Sequence, residues 1–573
     1  MKGAHAQLSF RHPRIDRSAV LTSLPAIVIV AICSGLPLLW LAGAILFASP
    51  AVRAELHLNS FRLQLLLRTF AYNGLAAIFA TLMGLPAAFV LGRGRGIFTR
   101  LMWVILPAAL LMPSLSYAYG WSQFARILRI FLTDHFGIDF VQRFGLTFIP
   151  AGPADTFRCI WSLAGWLWAV PAGLIGLSLR GLDSSVQQQA LLDGAMLRVT
   201  LRQLLPAITA SLAVVTIIAT QEFAVYEPTG ISVVATEVRM VFDTGAVSSP
   251  DNPIAGPVLQ GLGTKSPDQP ARAAAAVTVA MPLVAITFLL ALVVTFFISR
   301  AEPGGSVTVA AWPQILNATW KSKAATLLFL TLNLGVPIWA LVVSLRELPE
   351  LGAIGVIHKM WGSFEPQIIG AILVAALTAV LATIAGFSSS ARRMRALLFL
   401  TASTFLIGGQ LLAIADIRIY NRPGLFWVYD YFPAPVLAYV GRFGWLALAA
   451  SAATWTKPWR EIREMASVDG ASTFQLALRV IWPLAWPMLL AGGLIVGALS
   501  MTEVPATVLL FPQNPQVLTP TLMTWVHMAH YDAMIEASLL MMAVVLLPAI
   551  AAVLLTALAL RIAQRFPTTR SQA

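Results

Sequence analysis

The chain has 573 residues, of which 58% are hydrophobic and only 11% charged, and it carries a net charge of +13. Soluble domains carry roughly 25% charged residues, so an ordinary water-soluble domain is excluded. The apolar runs are continuous over about 20 residues, which fits membrane-spanning helices and excludes a barrel of alternating ten-residue strands.

The resulting fold class is all-α: a polytopic membrane protein. The basic N-terminal stretch with Arg11, Arg14 and Arg17 precedes an apolar run longer than the core of a signal peptide, which reads as an uncleaved first helix. Twelve spans are predicted, near 21–48, 66–92, 99–123, 159–179, 206–227, 274–299, 325–345, 367–389, 396–415, 432–454, 484–505 and 535–560. Cys33 and Cys159 lie far apart, in or beside apolar runs, where packing is the expected role. Basic residues cluster at alternate turns: Arg93, Arg95 and Arg100; Arg180, Arg198 and Arg202; Arg300, Lys321 and Lys323; Arg392, Arg393 and Arg395; Lys457, Arg460 and Arg463; Arg561, Arg565 and Arg570. That bias places both termini in the cytoplasm. The same distribution accounts for the positive charge without nucleic acid, since no basic block or stripe is present.

The apolar pattern breaks at 301–323, where Pro303-Gly304-Gly305 marks a linker. Six spans precede it (1–300) and six follow it (324–573). Two parallel repeats related by an axis along the membrane normal are the expected architecture.

Each half carries a polar elbow between its fourth and fifth spans. "QQALLDGAMLRVTLRQLLPAI" at 188–208 is echoed by "EMASVDGASTFQLALRVIWPLAWP" at 464–487. Asp-Gly is a turn signal, because Gly permits positive φ and Asp bonds its own nearby backbone. Two short helices meeting at the turn and lying on the cytoplasmic face are expected at 188–205 and 464–482. An interfacial helix resting on lipid headgroups is the general explanation for one such stretch; two copies at equivalent places suggest a partner that is itself two-fold.

Glu464, Ala466, Asp469, Gly470, Ala471, Phe474, Pro483 and Pro487 resemble the EAA loop of permeases from binding-protein-dependent ABC importers. The first copy matches in Ala190, Asp193, Gly194, Ala195 and Pro206, with Gln188 in place of the Glu. The resemblance implies a permease fused from two repeats, most similar to the ferric-iron type; "TEVPATVLL" at 502–510 is similar to a stretch seen there. It further implies two copies of a cytosolic ABC ATPase docked on the elbows and a periplasmic solute-binding protein. ATP would be bound by the partner subunits, with no cofactor in this chain. Thiamine, phosphonate and polyamine systems share the plan. The first elbow is about five residues shorter than the second, which predicts unequal grip on the two ATPases.

Glu222 and Glu503 occupy equivalent positions near the outer ends of the fifth and eleventh spans, before Pro228 and Pro505. Intramembrane carboxylates are costly. They either line the translocation path or bond local backbone where the helices break. "WVHMAHYDAM" at 525–534 gathers His527, His530, Tyr531 and Asp532; an interfacial helix is expected there, and no metal site. "GLGTKS" at 261–266 lacks the Gly-Lys-Ser/Thr ending of a phosphate-binding loop. With no hydrolytic triad or cofactor motif, the chain is expected to be a transport subunit and not an enzyme. The rival reading is an ion-coupled secondary transporter with parallel repeats, which offers no reason for twin elbows.

Overall fold

The computed structural model describes residues 17–48, 50, 59–136, 152–182, 184–244, 246–247, 256–257, 269–300, 318–345, 348–388, 391–452, 457–472, 475–510, 516–528 and 530–565. The "GLGTKS" run and most of the linker (301–317) lie outside them. The described residues are almost wholly helical; a two-residue antiparallel pairing, Ala246–Val247 with Gly256–Pro257, is the one ladder among them.

Among the described residues, ten helices are long and apolar enough to cross a membrane. They are Ser23–Leu46, Ser60–Arg93, Pro153–Arg180, Met196–Thr220, Pro270–Phe296, Trp320–Val343, Ile357–Phe387, Pro433–Ala452, Leu476–Thr502 and Tyr531–Ala559. The chain is thus a multi-pass, all-helical membrane protein, with twelve spans if each of two bent pairs counts as one.

Those bent pairs correct the expected third and ninth spans. Ile97–Leu111 and Ser114–Phe136 meet at 92°, and Arg392–Ile407 and Gly409–Tyr420 meet at 104°. The first bend falls at Pro113, which has no N–H for a continuing helix. The second falls at Gly408, with φ of +95°, a conformation disfavoured for residues with a Cβ. The stretch between the eleventh and twelfth spans also contains helices, at Thr507–Leu510 and Leu518–His527.

The first and seventh spans share a local distortion. Each contains a π-helical turn, Ala31–Gly35 and Thr331–Gly335, followed by a proline two residues on, Pro37 and Pro337. Proline offers no N–H to the carbonyl four residues back, which leaves Cys33 and Asn333 with a carbonyl outside the helical ladder. Tyr117 donates its hydroxyl to the Asn333 oxygen at 2.7 Å. Gly441 packs against the Cys33 carbonyl so closely that a methyl there would lie 2.3 Å from the oxygen.

These contacts cross between the halves. The first span packs on the eighth, ninth and tenth, and Ser34 Oγ lies 3.3 Å from Thr404 Oγ1. The seventh span packs on the second, third and fourth. Each half therefore lends its first span to the other. Cys33 and Cys159 are both buried and free.

Candidate functional site

The two elbows are built alike. The first elbow helix, Ser184–Leu192, ends at Gly194 with φ of +65°, and the second, Lys457–Val468, ends at Gly470 with φ of +79°. The Ala195 N–H reaches back to the Ala190 carbonyl at 2.9 Å, and the Ala471 N–H to the Ala466 carbonyl at 3.0 Å. These are matching Schellman closures, which satisfy carbonyls that the helix end leaves orphaned. Just before each Asp-Gly an apolar side chain stands in the open: Leu192 is 87% exposed and Val468 86%. Asp193, Gly194, Asp469 and Gly470 are exposed beside them, as are Gln188 and Glu464. A Cβ on either glycine would meet nothing within 4 Å. Each elbow is a small convex knob with an apolar tip.

Behind the turn the structure departs from the expected pair of surface helices. The following helix is the start of the span itself, Met196–Thr220 in the first half and Leu476–Thr502 in the second. The two elbows also begin their spans differently. In the second elbow, Ser472 N–H bonds Gln475 Oε1 at 3.0 Å and Gln475 N–H bonds Ser472 Oγ at 3.3 Å, a capping box. The first elbow has Ala195 at the corresponding cap and no side-chain bond. The eleventh span also opens with a π-helical segment, Leu476–Ile481.

Sequence reading passes over the residues that brace the knobs. Gln187 is buried, donating to Gln203 Oε1 at 2.7 Å and accepting from Thr200 Oγ1 at 3.0 Å. Arg463 donates to the Gly386 carbonyl at 2.9 Å, and Arg180 to the Leu91 carbonyl at 2.9 Å. Arg463 thereby ties its elbow helix to the C-terminal end of the eighth span, and Arg180 ties the end of the fourth span, just before the first elbow, to that of the second, where a helix dipole favours a cation. Burial pushes the Arg463 guanidinium down to about 10, still charged at neutral pH.

At the far end of each fifth-type span, about 35 Å from the elbow at 1.5 Å per residue, the helix stops at the glutamate. Glu222 lies two residues past Thr220, and Glu503 one past Thr502, so neither is inside a helix as expected. Both are buried. Each carboxylate faces the first residue after the bend of its own half. Ser114 donates to Glu222 Oε2 at 2.8 Å. Gly409 sits so close to Glu503 that an added methyl would lie 2.5 Å from its Oε1. Adjacent glycines at the second bend touch both glutamate segments: a methyl on Gly408 would lie 3.3 Å from Gln221 Cγ, next to Glu222, as one on Gly409 would meet Glu503. Glu503 also accepts the Ala506 N–H at 3.1 Å and pairs with Arg442 at 3.2 Å. Gln221 of the first half donates to the Phe405 and Leu406 carbonyls at the bend of the second, at 3.0 and 3.1 Å. Glu503 thus bonds local backbone, whereas Glu222 bonds a side-chain hydroxyl, and Gln221 beside it reaches across to the other half.

The breaks are held from behind by buried amides. Asn73 on the second span accepts from Tyr226 OH at 2.8 Å. Gln367 on the eighth donates to the Met501 carbonyl and to Thr519 Oγ1, each at 2.9 Å. A lone amide in an apolar span was the available signal for both.

His527 does not join His530 in a ligand set. It lies 3.7 Å from Glu227, which also pairs with Arg239. Burial pushes the Glu227 carboxyl up, opposed chiefly by Arg239. Among the described residues no three His, Cys, Asp or Glu side chains are grouped to hold a metal. Comparison with known protein families, with curated proteins and with solved structures returns no match to this chain.

Proposed function

We propose that this chain is the transmembrane subunit of an ATP-driven importer of the binding-protein-dependent ABC class. The observation that carries the reading is the pair of identically closed, apolar-tipped knobs, each continuous with a span that ends at a buried glutamate. A two-fold motor gripping Gly194 and Gly470 would move two rigid helices, and each helix would carry the motion about 35 Å to Glu222 or Glu503. The bent helices that pack on those glutamates are the elements such a motion would displace. On this reading the elbows face the cytoplasm of a bacterial inner membrane and two ATPase copies dock there. A periplasmic binding protein delivers solute on the other face, and ATP is hydrolysed outside this chain. Ferric iron is the proposed cargo, on the likeness of the 502–510 run; thiamine, polyamine and phosphonate are the related choices.

The test is uptake of labelled iron in cells carrying the full transporter. Uptake should stop on ATP depletion and survive an uncoupler. Uptake that continues without ATP, or collapses with the ion gradient, would establish a secondary transporter instead.

A further inference from the structure

At one position in this cluster one half carries a charge and the other does not. The same residue separation that relates Asp193 to Asp469 relates Trp166 to Arg442. Trp166 donates its indole N–H to the Met112 carbonyl at the first bend, at 3.0 Å. Arg442 instead places a full charge at the second bend, 3.2 Å from Glu503, with both side chains only 4% exposed. Its Nη1 has no hydrogen-bond partner, nor have Gln221 Oε1 and Gln410 Nε2 nearby in the bend. A buried charge is kept only where something compensates it.

The charges sort by mobility. The carboxylates hang from span ends braced by Asn73 and Gln367, and the N-termini at Ser114 and Gly409 are fixed in the backbone. Arg442 is the one charge on a long, rotatable stem. When it leaves Glu503, two buried carboxylates on either side of the Gly408-Gly409 bend are left with only partial helix charges beside them. An anion entering there would meet two like charges, whereas a cation would restore the balance.

We propose that Glu222 and Glu503 form a transit site for cationic cargo, and that Arg442 is the tethered counter-ion which that cargo displaces. The proposal rests on the reading of the chain as a transporter, but not on its coupling to ATP. Two carboxylates make a weak site, as passage requires: a cargo held by more ligands would not leave. The assignment admits a metal ion, a polyamine or thiamine, and rejects phosphonate.

The experiment is calorimetric titration of the full chain in phosphatidylcholine nanodiscs with Tb3+, spermidine and thiamine as separate probes. Arg442→Gln should bind at least one probe tenfold or more tighter than wild type. Adding Glu222→Gln or Glu503→Gln should remove the gain, and Arg442→Lys should stay near wild type. The responding probe distinguishes metal from polyammonium from aromatic cation. No gain in a folded Arg442→Gln chain overturns the proposal. So does a gain that survives loss of both glutamates, or wild-type binding of phosphonate that Arg442→Gln abolishes. If Arg442→Gln does not fold, wild type is compared with Glu222→Gln/Glu503→Gln at millimolar probe; equal heats overturn the proposal. Because no ATP is present, failure here leaves the ATP-depletion result standing, and the reverse also holds.

Discussion

Gly409 has no room for a side chain: a methyl there would lie 2.1 Å from Arg442 Nη1 and 2.5 Å from Glu503 Oε1. Gly409→Ala must therefore push apart a fully buried ion pair, at a cost of about 3 kcal/mol. A clear drop in the apparent melting temperature of the detergent-solubilised chain checks it, with Gly173→Ala, where a methyl meets nothing within 4 Å, as the control. Gln221→Leu removes two hydrogen bonds to the second bend and should cost about 1–3 kcal/mol. The same melting assay reads the loss. At this scale the glutamates were legible, because a carboxylate at the end of an apolar run is conspicuous in any sequence. Ser114, Gln221 and Arg442 were not. What makes them matter is a neighbour far along the chain, which only the packing of four helices brings near.

The elbows were legible as elements because Asp-Gly-Ala interrupts an apolar chain twice. Their continuity with the spans was not, since a helix that leaves the membrane changes its composition without changing its backbone. Ser472→Ala removes the capping box of the second elbow and should weaken that helix start by about 1 kcal/mol. If the second elbow is the stronger coupler, this substitution lowers transport-linked ATP hydrolysis measurably, whereas Ala195→Ser in the first raises it or leaves it unchanged. Steady-state ATP hydrolysis in the assembled complex is the measurement. Gly194→Ala and Gly470→Ala each force a side chain into left-handed backbone, costing about 1–2 kcal/mol, and should loosen the knobs without unfolding the spans. The bends at Pro113 and Gly408 escaped the sequence reading for a different reason. Non-helical backbone at membrane depth is tolerated where it is enclosed by protein, so the surrounding residues stay apolar and the run looks unbroken.

The whole molecule is organised by exchange. The first span belongs by contact to the second half and the seventh to the first half, so a cut in the linker should not free two folded bodies. Co-expressed fragments 1–303 and 304–573 should co-purify in detergent, and neither should be recovered folded alone. Separate recovery of either half, by size-exclusion chromatography and helical circular dichroism, would contradict the arrangement. Deleting residues 1–48 should expose the eighth to tenth spans to proteolysis more than the second to fourth. Composition made the helical membrane class plain from the start; the exchange was hidden because spans 1 and 7 are as uniformly apolar as those that face lipid.

That exchange also sets an order in time. The π-turn at Ala31–Gly35 is synthesised well before its seats, Thr404 and Gly441, which are made roughly 400 residues later. At about 5–20 residues per second, the first span waits on the order of 20–80 s with Ser34 and an unladdered Cys33 carbonyl facing lipid. The seventh span has no such delay, because Tyr117 and Gly165 are already in place when Asn333 arrives. Assembly is therefore lopsided even though the finished halves are alike. A pause or stall after the linker would leave a half-built protein whose first helix touches the sixth span but lacks its seats in the eighth to tenth.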